Sequence, residues 1–239
     1  MFSLLAKAKE IPSMTDIETR ELLRQYAAEV PTGTAIVEVG AWLGACTSFL
    51  ALGVMDSGRQ NPIHVYDRFE ATASEVEKAQ RWGLVFFEGE RTTGCFDNFI
   101  EPFREGAKIV KHVGNIKKAK WYAPRIGLYV DDASKRTEYF VHSMRTFARK
   151  FVPKKTYLFL LDFFYYENKG ELYQAQENWM NKHKDNFKFL FRIGPVGAVF
   201  KYLGGYKNEL RKIRGKRSKS RKRRNNNKRA SAKARFRVV

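Results

Sequence analysis

The sequence predicts an α/β fold: a seven-stranded, mostly parallel sheet with helices on both faces and an antiparallel hairpin at its C-terminal end. Three observations carry this. Short apolar runs alternate with segments of helical periodicity between residues 15 and 183, the pattern of a parallel sheet with crossover helices. The runs are mostly uninterrupted by polar residues, as strands buried on both faces require. The last two runs, residues 187–191 and 198–203, are joined through Gly194-Pro195-Val196-Gly197, a link too short for a parallel crossover, so they pair antiparallel.

The elements follow in order. Thr15-Asp16 precede a leading helix in which Ile17, Leu22, Leu23, Tyr26 and Val30 recur at helical spacing, and Pro31 and Gly33 close it. Residues 35–39 form the first strand, 44–55 a helix, 63–66 the second strand and 72–81 the next helix. Residues 108–113 and 126–130 are the third and fourth strands. A helix over 137–150 presents Tyr139, Phe140, Met144, Phe147 and Phe151 as an apolar stripe. Residues 157–161 make the fifth strand, and a helix around 172–183 leads into the hairpin.

The chain has 239 residues, 44% of them hydrophobic, enough for one sizeable core. Its net charge of +20 suggests nucleic acid until the charge is located. From Tyr206 onward sixteen Lys or Arg stand against the single Glu209, leaving a net of only +5 on the rest, which is ordinary for a globular enzyme. Residues 206–239 also hold almost no large apolar side chains between Ile213 and Phe236, too few to offset the entropy of ordering them. The expected organisation is therefore a helical segment over 1–32, one domain over 33–205 and a disordered basic tail over 206–239. No apolar run approaches the ~20 residues of a membrane span, and the start of the chain does not read as a secretory signal. Two cysteines, Cys46 and Cys95, fit a reducing compartment, so a cytoplasmic location is expected.

The sharpest motif is Val37-Glu38-Val39-Gly40-Ala41-Trp42-Leu43-Gly44-Ala45-Cys46-Thr47. A strand ends in an acid and a glycine, and a second glycine opens a helix whose free N–H groups face the carboxyl edge of the sheet, where ligands bind in such folds. Asp67 ends the second strand; an acid there either accepts hydrogen bonds from the two hydroxyls of a ribose or caps a turn. The turn is not GxGxxG and no GK[ST] loop is present, so phosphate-cradling ligands are disfavoured.

Glu38-Val39-Gly40 through Thr47, Asp67, Gly114-Asn115 after strand three, Val130-Asp131-Asp132 after strand four and Leu161-Asp162 after strand five resemble the Rossmann-like class I S-adenosylmethionine (SAM) dependent methyltransferases. More narrowly, they resemble the macrocin O-methyltransferase-like group over residues 33–203. The resemblance implies SAM as cofactor, with Glu38, Gly40, Gly44, Asp67 and Asn115 around it, and methyl transfer to a hydroxyl of a sugar or other small metabolite.

The resemblance also implies that Asp131 and Asp162 are catalytic, and that Asp131, Asp132 and Asp162 hold a divalent cation such as Mg2+. Hard cations favour such clustered oxygens. The pattern departs from the family, however: Asp-Gly-x-His is replaced by Asp131-Asp132-Ala133-Ser134, and Asp-Asp-Tyr by Asp162-Phe163-Phe164. That leaves three options: a metal enzyme with altered ligands, a metal-free enzyme with Asp131 or Asp162 as base, or a fold that binds without catalysing. Phe159 and Phe163 to Tyr166 form either an acceptor platform or a packed lid. The tail, residues 207–239, is expected to attract a polyanion, either nucleic acid or an anionic membrane. The alternative function is thus a SAM-fold binding protein, or an RNA methyltransferase, directed by that tail.

Overall fold

A computed structural model of the protein describes residues 3–206; apart from Tyr206, the expected disordered basic tail lies outside the described residues. In chain order the elements are α1 (Leu4–Glu10), α2 (Ile17–Ala28), β1 (Thr34–Val39), α3 (Ala45–Asp56), β2 (Ile63–Asp67), α4 (Ala73–Ala79), α5 (Thr93–Ile100) and β3 (Ile109–Val113). They continue with β4 (Arg125–Asp131), α6 (Thr137–Phe147), β5 (Tyr157–Leu160), α7 (Tyr166–Lys169), α8 (Ala175–Lys182), β6 (Phe187–Ile193) and β7 (Gly197–Tyr202).

The seven strands form one sheet in the order β3-β2-β1-β4-β5-β7-β6. β7 runs antiparallel to both β5 and β6, and the other neighbours are parallel. The short link that barred a crossover in the sequence thus closes the hairpin. Register then fixes what lies along the carboxyl edge. Val39 pairs with both Tyr66 and Asp131, Asp67 with Val113, and Asp131 with Leu160. The residues that follow those positions, among them Gly40, Gly114, Asp132 and Leu161, therefore emerge in one row beside Asp67.

Alternation along β4 shows how both faces are covered. Leu128 and Val130 join the core built with Leu23 and Ala27 of α2 and Phe49 and Leu52 of α3. Tyr129 points the other way, 5.7 Å from the ring of Phe147 in α6 and 5.5 Å from Phe151. Asp16 caps α2 by accepting the Thr19 N–H at 2.7 Å, and Thr72 with Glu75 forms a capping box at α4. α2 and α3 approach closely at Gly53, where a Cβ would stand 2.1 Å from the Arg24 carbonyl oxygen. The bidentate Arg24–Asp56 pair at 2.6 and 3.2 Å closes the same contact.

The helices α5 and α7 were not expected, and α1 is a separate helix within the segment expected to be helical over 1–32. α1 is capped by Ser3, whose Oγ accepts the Ala6 N–H at 3.2 Å, and it buries Ala8. α5 buries Phe96 and Ile100 but has no side-chain cap. Each is two turns or so, too short to hold its shape without packing, and so left little periodic signal. The helix expected over 172–183 begins only at Ala175, after Gly170 at φ +87° and a 3₁₀ turn at Glu171–Tyr173. Among the described residues no helix is long and apolar enough to cross a membrane.

Candidate active site

A cavity of about 580 Å³ opens along the carboxyl edge of the sheet, bordered by Gly40, Asp67, Asn115, Asp132 and Asp162. Gly40 turns the chain at φ +87°, and a Cβ there would lie 2.7 Å from Ala133 Cβ and 2.9 Å from the Asp132 carbonyl oxygen. Only glycine meets both demands. Asp67 knits this turn to β2: Oδ2 accepts the N–H groups of Ala41 at 2.7 Å and Trp42 at 3.0 Å, and Oδ1 accepts that of Phe69 at 2.7 Å. Asp67 thus caps a turn, and it also borders the cavity. Trp42 sits in the left-handed region at φ +47°, and its buried Nε1 has no hydrogen-bond partner. Strained backbone of this kind collects at ligand sites.

Glu38 lies behind the turn and does not line the cavity. It is fully buried, its Oε2 accepts the Thr47 hydroxyl at 2.6 Å, and Oε1 has no partner. Burial pushes its carboxyl up to about 8, so it is mostly protonated at neutral pH. Gly44 also sits behind the cavity, as the residue before α3 at φ +96°, with its Cβ direction filled by Ile100 at 2.7 Å. Asn115 borders the cavity and caps the following turn, its Oδ1 accepting the Lys117 N–H at 2.9 Å. Cys46 reaches the cavity wall, where burial and the Glu38 carboxyl push its thiol up.

The expectation for Asp131 is corrected. Its side chain turns into the protein, where Oδ2 accepts the Tyr129 hydroxyl at 2.7 Å and Oδ1 accepts the N–H groups of Ser134 at 2.8 Å and Ala133 at 3.3 Å. It is fully buried and absent from the cavity wall, so it shapes the loop after β4 and cannot meet an acceptor. Asp132 faces the cavity instead, with Oδ2 accepting the Thr15 hydroxyl at 3.2 Å. Asp162, only 6% exposed, also lines the cavity, with Lys135 Nζ 3.2 Å from its Oδ2. Burial raises both carboxyls, and Asp162 raises Asp132 further. Lys135 remains a cation because the attraction of Asp162 and Asp132 outweighs its own burial.

This geometry does not fit the expected Mg2+ site. Among the described residues no group of three or more His, Cys, Asp or Glu is arranged to hold a metal ion. The reason is local: Asp131 spends its oxygens on the protein, and an ammonium group already stands against Asp162.

The aromatic run after β5 divides. Phe159 is core, and Phe163 packs against Phe164 at 4.8 Å and Phe200 at 5.0 Å. Tyr165 borders the cavity, its ring 5.0 Å from Lys135 Nζ. Of the run Phe163 to Tyr166, Tyr165 borders this cavity and the others do not. Sequence reasoning missed Thr15 and Lys135. Neither belongs to the resembled motifs, although Lys135 stands four residues beyond Asp131 and Thr15 opens the leading helix. His64 and His112 lie elsewhere, bonded to each other at 3.0 Å between β2 and β3.

A mostly parallel sheet ending in an antiparallel pair, with a glycine turn after β1 and an acid after β2, is the fold of the class I SAM-dependent methyltransferases. Solved structures agree. The O-methyltransferase NovP matches with a TM-score of 0.61 at 15% identity, over 81% of this chain and 83% of that one. The SAH-bound Podospora anserina methyltransferase PaMTH1 matches at 0.50 and 11% identity, over 84% of this chain and 88% of that one. A SAM-dependent O-methyltransferase from Thermotoga maritima matches at 0.50 and 12% identity, over 85% and 72%. No protein-family model and no curated protein sequence matches the chain.

Proposed function

We propose that the protein binds SAM in this cavity and transfers its methyl group to a hydroxyl of a sugar or another small metabolite. One observation carries the reading: a glycine turn and ribose-type acid at one part of a cavity share it with two upward-shifted carboxyls at another, Asp162 buried and Asp132 partly buried. The residues fit the cofactor. Gly40 turns the chain tightly against Asp132 and Ala133 at the cavity edge, and Asp67 Oδ1 has one bond of the two an oxygen can accept, leaving capacity for a ribose hydroxyl. Bound SAM supplies an electrophilic methyl group on sulfur. Asp162, with Asp132 beside it, is placed to take the acceptor's proton, because a carboxyl raised towards neutrality is matched to general-base work. Tyr165 offers the acceptor a ring face.

The two free cysteines support a cytoplasmic setting. The sixteen basic residues of the tail support a polyanion as a second partner, and with it the reading of an RNA-directed enzyme or of a non-catalytic binding protein. Calorimetric titration of SAM and S-adenosylhomocysteine separates these from the cofactor assignment. Wild-type protein is expected to bind both, and Gly40→Arg to bind neither. Absence of heat with wild type, or unchanged affinity in a folded Gly40→Arg variant, overturns the assignment. Transfer of labelled methyl from SAM to a panel of hydroxylated small molecules and to RNA then decides the acceptor class.

A further inference from the structure

Lys135 was not anticipated by any motif, yet its surroundings are built around a positive charge. Its Nζ stands 3.2 Å from Asp162 Oδ2 and 5.0 Å from the Tyr165 ring centroid. The contact with Asp162 is an ion pair rather than an aligned hydrogen bond, since buried Oδ2 receives no hydrogen bond of proper geometry. Lys135, Asp162, Asp132 and Tyr165 all border the cavity, so donors of the ammonium group remain for a ligand there. A divalent cation seeks the same position, between carboxylates at the ends of adjacent strands. A buried carboxylate such as Asp162 needs a compensating charge from some source.

We propose that the ammonium group of Lys135 is the resident cation of this site, filling the position between Asp162 and Asp132 that would otherwise hold a divalent ion, and that it holds the acceptor oxygen during methyl transfer. The second part rests on the methyltransferase reading; the first does not. In the reaction, the acceptor oxygen forms a bond to the methyl carbon as the carbon–sulfur bond breaks, and that electron pair stays on sulfur, which leaves as a neutral thioether. The hydroxyl proton passes to Asp162. Lys135 keeps its proton throughout and offsets the negative charge that gathers on the acceptor oxygen, as preorganised cations do at such centres.

The test uses MnCl2 as probe, on the full chain without cofactor, by calorimetry. Wild type is expected to give no binding up to millimolar Mn2+. Lys135→Met frees the carboxylates and is expected to bind Mn2+ at least about tenfold more tightly, and adding Asp162→Asn to that variant is expected to abolish the gain. Lys135→Gln serves the same purpose should Lys135→Met fail to fold. Wild-type binding of Mn2+ that Asp162→Asn weakens overturns the proposal, because the metal then displaces Lys135. Failure of both folded Lys135 variants to gain binding also overturns it, because the carboxylates are then no cation site. Titration with S-adenosylhomocysteine is run separately; its failure removes the methyl-transfer reading while the Mn2+ result still decides what Lys135 replaces.

Discussion

Asp67 Oδ2 accepts the backbone N–H of Ala41 at 2.7 Å, so the acid that ends β2 holds the turn that follows β1. The same oxygen takes the N–H of Trp42, and both residues are buried. Buried donors left without a partner cost about 1–3 kcal/mol. Asp67→Ala is therefore expected to lower S-adenosylhomocysteine affinity by tenfold or more, with the loss larger than in Asp67→Asn, which keeps one acceptor oxygen. Titration calorimetry on both variants checks the order; equal affinity in wild type and Asp67→Ala would show that the acid serves the turn alone.

Glu38 gives a pH dependence of stability with a defined sign. Its folded value is raised to about 8 by burial, far above an unfolded glutamate. The protonated form is thus favoured by folding, and its contribution is complete below the unfolded value and lost as pH rises towards the folded one. Wild type should lose up to about 1.4 kcal/mol per pH unit in that interval relative to Glu38→Gln, which is neutral at every pH. Urea midpoints from pH 5 to 8 should diverge; parallel curves would show that Glu38 is not held protonated.

The His64–His112 pair has the opposite sign. Burial first, then the neighbouring His112, lowers His64 to about 4, and burial also lowers His112. The neutral rings are favoured by folding, so this stability is present above the unfolded value and falls as pH drops towards 4. His64→Phe, which keeps the contact with Trp121, should flatten the acid limb of a melting-temperature profile by at most about 1.4 kcal/mol per pH unit at these half-buried positions. An unchanged limb would assign acid sensitivity to other groups.

Gly53→Ala tests the helix pair behind the cavity. With the Arg24 carbonyl oxygen 2.1 Å from the new Cβ, α2 and α3 must separate, at a cost of about 1–3 kcal/mol or more. The urea midpoint should fall, whereas S-adenosylhomocysteine affinity in the folded fraction should stay within about twofold, because Gly53 does not border the cavity. A stability equal to wild type would mean that the helices repack freely.

Deletion of residues 207–239 tests the tail. Their fifteen net positive charges should bind polyanions by counterion release, with an affinity that falls steeply with salt. The truncated protein is expected to keep its fold and cofactor affinity and to lose retention on heparin at low salt. Retention by the truncated form would place the basic site on residues 1–206.

The sheet was largely legible in the sequence. Runs such as 35–39 and 126–130 are apolar because both faces are covered, and Gly194-Pro195-Val196-Gly197 is too short to cross over, so strand number and direction follow from local chemistry. Gly40 and Asp67 were legible as cavity residues for the same reason, since each follows or ends a parallel strand, while Asn115 came from the family resemblance alone. α5, and α1 as a separate helix, were not legible, because their shape depends on Ala8, Phe96 and Ile100 meeting a core assembled from distant segments.

The sequence by itself determined that carboxylates gather at the ends of β4 and β5. Only the tertiary structure decided which of them face the cavity. Asp131 and Asp132 are adjacent, and consecutive residues at a strand end face opposite ways; Tyr129 and the Ser134 N–H claim the first, so the second meets the cavity. Thr15 reaches Asp132 across 117 positions of sequence, and Lys135 meets Asp162 only because β4 and β5 are neighbours. Spacing along a chain encodes strand ends, but the direction of a side chain, and the charge that comes to stand against it, are fixed by packing between elements that the spacing does not relate.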